Sequence, residues 1–145
     1  MPKRTKLIEH KGTVSGLIDE GLSELQSLGE EMRSWYDGMP ENLQSGGKGE
    51  TVSQSADTLE NLPTEIEVPE SAAEAEVVYH LPKPKKRPPS RATRRDAAVN
   101  LLEIAKGRLE ELQQEQDEED FDTPINELDE AISAASDVEF PGMYG

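Results

Sequence analysis

The chain has 145 residues, a net charge of −16 and a hydrophobic share of only 33%, which is lean for a globular core and of a sign that repels nucleic acid and anionic membrane. Cysteine is absent, which excludes disulfides and thiolate metal sites, and His10 and His80 are too few and too separated for a zinc site, so no metal and no cofactor is expected. No stretch approaches the roughly 20 apolar residues of a membrane span, and no continuous apolar run of the length of a secretory signal core follows the first residues, so the expected setting is soluble and cytoplasmic, with basic partners.

Residues 1–13 read as a basic arm. Val14, Ile18, Leu22, Leu25, Leu28, Met32 and Trp35 then recur at steps of three and four, the period of one helical face. Ser15 is placed to cap this helix, and Gly38 followed by Pro40 stops it. Gly21 and Gly29 each weaken a helix by about 1 kcal/mol relative to Ala. Their spacing reads either as a notch for a second helix or as simple fraying. Gly38 to Gly49 has the composition of a flexible turn, and a second helix with Val52, Ala56 and Leu59 on one face runs from Glu50 to Leu62 and ends at Pro63. Residues 14–62 thus form a first helical hairpin.

Residues 63–91 read as a proline-rich charged linker. Ile66 with Val68, and Val77 to Leu81, are short apolar patches that could each lie extended across a hairpin, but the acidic residues among them argue against an independent sheet. A second hairpin, 92–136, starts with the capping-box-like run Thr93-Arg94-Arg95-Asp96 and continues through Ala98, Leu101, Leu102, Ala105, Leu109 and Leu112. Carboxylates from Asp117 to Asp122 are unfavourable at the negative end of a helix dipole and should break it. Thr123-Pro124 restarts a helix in cap-then-proline order, with Ile125, Leu128, Ile132 and Ala135 on its apolar face. The tail, 137–145, either tucks against the helices or serves as a docking peptide.

An offset of 73 residues superimposes the two hairpins, with Leu28 on Leu101, Tyr36 on Leu109, Val52 on Ile125 and Leu59 on Ile132. One hairpin of this size cannot bury enough surface to stay folded alone, whereas two can close on each other. The expected fold is therefore all-α: two antiparallel helical hairpins packed as a four-helix arrangement and joined by the linker. A linker of this length permits closure within one chain or sharing between two, so a homodimer is a possible state.

Candidate motifs are few. Gly46-Gly47-Lys48-Gly49 lacks the spacing of a phosphate loop, and neither register of the acidic run fits a calcium-binding loop, because Phe121 or Pro124 falls on a ligand position. Trp35 reads as the core anchor of the first hairpin with Tyr36 partly exposed, and alternatively as an interface hot spot. The basic block Lys83, Lys85, Lys86, Arg87, Arg91, Arg94 and Arg95 has three readings: an import signal, a nucleic-acid contact without aromatic residues to stack on bases, or a stiff spacer attracted to the acidic hairpins. No nucleophile, base and orienting group can be assembled, so an enzyme is not expected.

The segments Glu31-Met32-Arg33-Ser34-Trp35-Tyr36-Asp37 with Asn42-Leu43-Gln44, and Val138-Glu139-Phe140-Pro141-Gly142-Met143-Tyr144-Gly145, resemble those of small, uncharacterised acidic proteins of bacteriophages and prophages. The resemblance implies a bacterial host cytoplasm, which leaves no place for nuclear import, and it assigns no functional residue. The reading as a whole is a non-catalytic acidic module that binds a basic partner protein through Trp35, Tyr36, Asp117, Glu118, Glu119, Asp120, Asp122, Phe140, Met143 and Tyr144. The alternative is nucleic-acid related: a DNA mimic, or a weak nucleic-acid binder through residues 83–95.

Overall fold

The computed structural model describes residues 7–82, 86, 88–115 and 121–140. Within them the chain is mostly helical, with one small sheet. Strand β1 (Leu7–Thr13) leads into helix α1 (Val14–Asp37), a short α2 (Glu41–Gln44), α3 (Gly47–Glu60), a short α4 (Glu70–Ala73), strand β2 (Glu76–Pro82), α5 (Arg91–Glu115) and α6 (Asp122–Ser136). Helix α1 packs against both α3 and α5, α5 also packs against α6, and α3 touches α6.

The apolar period predicted for the first helix is the buried face of α1: Val14, Leu17, Ile18, Leu22, Leu25, Leu28 and Met32 are all enclosed. Gly21 and Gly29 form a notch. A Cβ on Gly21 would stand 2.9 Å from Leu102 Cδ2 and 3.0 Å from the Ala98 carbonyl oxygen, and one on Gly29 would stand 3.0 Å from Leu59 Cβ. Each glycine lets a neighbouring backbone approach: α5 at Gly21 and α3 at Gly29. The cap lies two residues earlier than Ser15, because Thr13 keeps an extended backbone and its Oγ1 accepts the Gly16 N–H at 3.1 Å.

Four further expectations are corrected. The supposed flexible turn 38–49 holds α2 and the start of α3, with Gly49 pressed against the Leu43 and Gln44 carbonyls, where a side chain would collide. Helix α5 begins at Arg91, where the Ser90 hydroxyl accepts the Thr93 N–H at 3.2 Å, so Ser90 rather than Thr93 caps it. Helix α6 begins at Asp122, one residue before the expected Thr123 cap. Finally, the sheet that the acidic residues of the linker argued against is present: its strand β1 comes from the basic arm and β2 from the linker, which also holds α4.

The two strands pair antiparallel from Leu7 opposite Pro82 to Thr13 opposite Glu76. The carboxylates that argued against a sheet point to solvent, while Val77 is buried and Tyr79 stacks on His10 with ring centroids 5.4 Å apart. Alternation, not composition, decides the strand. The earlier patch of the linker reaches the core through Ile66, and Gln26 Nε2 donates to the Pro63 carbonyl at 3.4 Å, tying this segment to α1.

Candidate functional site

The first residues of α5 meet α1 through charge. Arg94 donates to Glu24 at 2.5 Å and to Glu31 at 2.7 Å, and Arg91 approaches Glu31 at 3.3 Å. The hydrogen bond from Arg94 holds the Glu31 carboxyl below its ordinary pKa of 4.5. The Arg94 guanidinium is shifted upward in turn by Glu31 and Glu24. Arg91 also lies over the Trp35 ring at 5.2 Å from its centroid, and Lys48 faces the same ring at 5.6 Å. Trp35 is thus half-buried against the core and faced by two cations, rather than enclosed as the core anchor of the first hairpin that was expected. Beside it, Ser27, Glu30, Glu31, Ser34 and Arg91 complete an open groove of about 660 Å³. Tyr36, also half-buried, contributes its carbonyl to Gln44 Nε2 at 2.8 Å.

Arg95, the next residue of α5 after Arg94, faces the end of α6 instead. Its Nη1 donates to the carbonyls of Ala135, Ser136 and Val138 at 3.1, 3.2 and 2.7 Å, satisfying the end of α6, and its guanidinium covers Phe140 at 5.4 Å. Ser55, in α3, donates to the Glu139 carbonyl at 2.5 Å. The described part of the tail therefore tucks against α3 and α5. Three of the basic residues named as nucleic-acid candidates, Arg91, Arg94 and Arg95, have internal partners, while Lys86 is exposed. Lys83, Lys85 and Arg87 lie outside the described residues.

Among the acidic candidates, Asp122 opens α6 and accepts from Gln113 Nε2 at 3.0 Å. Asp117, Glu118, Glu119 and Asp120, like Met143 and Tyr144, lie outside the described residues. The acidic feature that the sequence reading missed is a trough of about 370 Å³ between the residues that follow α3 and the side of α6 that carries Glu127, Glu130, Ala131 and Ala134. Leu62, Pro63, Ala131 and Ala134 form its apolar floor, and Glu127 and Glu130 stand on its rim. Their neighbour Asp129 pairs with Lys106, whose ammonium is shifted upward by that contact, but no cation among the described residues pairs with Glu127 or Glu130. The signal that could have found them is the position of these two carboxylates on the helix surface beside the small residues Ala131 and Ala134.

Among the described residues no helix is long and apolar enough to cross a membrane. Comparison with known proteins finds no family model that matches the chain, and no curated protein or solved structure matches it.

Proposed function

We propose that this protein is a non-catalytic acidic interaction module, two helical hairpins in a four-helix arrangement, that binds a basic partner protein in a bacterial cytoplasm. The observation that carries the reading is the trough of α3 and α6. Its rim holds two carboxylates without a cation among the described residues, and its floor is apolar. A lysine or arginine side chain has the matching form: an aliphatic stem for the floor and a charged head for the rim. The groove at Trp35, where Glu30 lies exposed beside the indole, offers a second acidic and aromatic surface for the same partner.

The test is capture from host lysate by the immobilised chain, repeated with Glu127→Lys combined with Glu130→Lys. A stoichiometric basic protein that elutes as salt screens exposed charges is expected for the native chain, with loss of capture by the double variant. Equal capture by the variant would remove the trough from the proposal, and absence of any partner at low salt would remove the function.

A second reading, binding of nucleic acid, gains from one observation. Leu7 lies opposite Pro82, so the ribbon begins and ends at one place, and in the sequence the basic runs Lys3-Arg4-Thr5-Lys6 and Lys83 to Arg87 directly precede and follow it. A gel-shift series decides it. Direct phosphate contact gives a shift that weakens with salt and disappears when Lys83, Lys85, Lys86 and Arg87 are neutralised, whereas a DNA mimic gives no shift but competes with DNA for its target.

A further inference from the structure

The two-stranded ribbon has two edges, and they are not alike. On the β2 side, the Glu76 carbonyl accepts a hydrogen bond from Arg108 Nε at 3.2 Å, and β2 packs against α5. On the β1 side, no backbone group beyond β2 bonds to the strand among the described residues. The ladder itself shows which groups lie on that open edge. Val14 N–H donates to the Ala75 carbonyl at 3.2 Å, one step past the Thr13–Glu76 pair. Antiparallel pairs alternate between bonded and non-bonded, so Gly12–Val77, His10–Tyr79 and Ile8–Leu81 are the bonded pairs. The N–H and C=O groups of Leu7, Glu9, Lys11 and Thr13 therefore point outward, away from β2.

This edge is complementary to itself. If two copies of β1 run antiparallel with His10 on the two-fold axis, Leu7 falls opposite Thr13 and Glu9 opposite Lys11, so each outward-pointing residue meets another and the pair exchanges both backbone bonds. The side chains agree with that register. Glu9 and Lys11 are both exposed on the solvent face, and the axis pairs each with its opposite charge twice. Ile8, 38% exposed in the single chain, falls opposite Gly12, the one position in the strand without a side chain. Moving the axis by one residue, onto Glu9 or Lys11, shifts the register by two and sets like charges directly across from each other, which is destabilising.

We propose that β1 is a self-association edge, and that two copies of this chain join through it into a four-stranded antiparallel sheet in the order β2, β1, β1, β2. A two-stranded ribbon is marginal in water, and doubling it removes both open β1 edges at once. The assembly is distinct from any exchange of helices, since it leaves both helical pairs of each chain in place. The isologous contact closes, so it stops at two copies.

The experiment is sedimentation equilibrium on the full chain from micromolar to millimolar concentration, with four preparations. Native protein is expected to show a concentration-dependent monomer–dimer equilibrium. Glu9→Lys alone sets lysine against lysine, Lys11→Glu alone sets carboxylate against carboxylate, and each is expected to weaken the dimer at least tenfold. The double exchange, Glu9→Lys with Lys11→Glu, restores opposite pairs and native-like association. An equimolar mixture of the two single variants is expected to form a heterodimer, because each supplies the charges that the other lacks, and this result does not depend on either variant associating by itself. A native chain that stays monomeric throughout would overturn the proposal. So would single variants that dimerise as tightly as the native chain, or a mixture that associates no better than its components.

Discussion

Helices α1 and α5 carry the same residue type to opposite ends. In α1, Gly21 and Gly29 stand where α5 and α3 come closest, and a side chain at either position would press on a neighbour. In α5, Gly107 is exposed, and a Cβ there would meet nothing within 4 Å. The reason is which face each glycine occupies: Gly21 and Gly29 lie on the sides of α1 that meet α5 and α3, whereas Gly107 lies on a side of α5 that is turned to solvent. The pairing of α5 with α6 instead relies on insertion. Phe121, at the N-cap position of α6, is fully buried, and its N–H is accepted by Gln113 Oε1 at 3.2 Å. The contacts of α1 close by omission of side chains and the start of α6 closes by a large one, which teaches that similar apolar spacing in two segments does not imply similar packing.

Four measurements would break or sharpen this contrast. Phe121→Ala should cost about 3–5 kcal/mol in denaturant unfolding, the range for removing a buried aromatic side chain. A negligible loss would mean that the second pair has no such anchor. Gly21→Val should cost about 1–3 kcal/mol, because the added branch meets the Ala98 carbonyl, which is backbone and yields little. Gly107→Ala should move stability the other way by about 1 kcal/mol, since only the helix-propensity term changes at an open position. If both glycine changes had the same sign, the contrast between α1 and α5 would fail.

The smallest expected effect concerns pH. The folded pKa of Glu31 lies below its ordinary value of 4.5, so its contribution is present above that value and is lost as pH falls through the lowered folded pKa. Glu31→Gln should therefore flatten part of the acid-side fall in melting temperature while changing little near neutral pH beyond a uniform offset. The effect is small because the Glu31 side chain is 38% exposed and screened by water. An unchanged acid-side slope would show that the Arg94 contact does not couple to folding.

The sites divide along the same line. Trp35 and Tyr36 were legible as an aromatic pair, but the cations on Trp35 come from two other helices, α5 and α3, so its half-buried state beside Arg91 and Lys48 was not. Arg91, Arg94 and Arg95 read as a continuation of one basic block. In the fold they diverge, Arg94 toward the carboxylates of α1 and Arg95 toward the carbonyls that end α6. Phe121 was hidden inside a run of carboxylates, whose charge masked a residue that reaches the core. The rim of Glu127 and Glu130 was invisible for a related reason: a trough exists only between two elements, and its floor belongs partly to residues 62 and 63.

By itself, the amino-acid sequence determined the helical character of the chain and the buried face of α1, because helix bonding and apolar period are local and repeat every few residues. It also determined the acidic field, which is a sum over composition. Only the tertiary structure decided that the arm before α1 is a strand, since β1 acquires its register from β2, whose partner residues stand about 70 positions away. The same holds for which glycines admit a neighbour and which arginines face inward: these depend on distances between elements, and no local pattern encodes them.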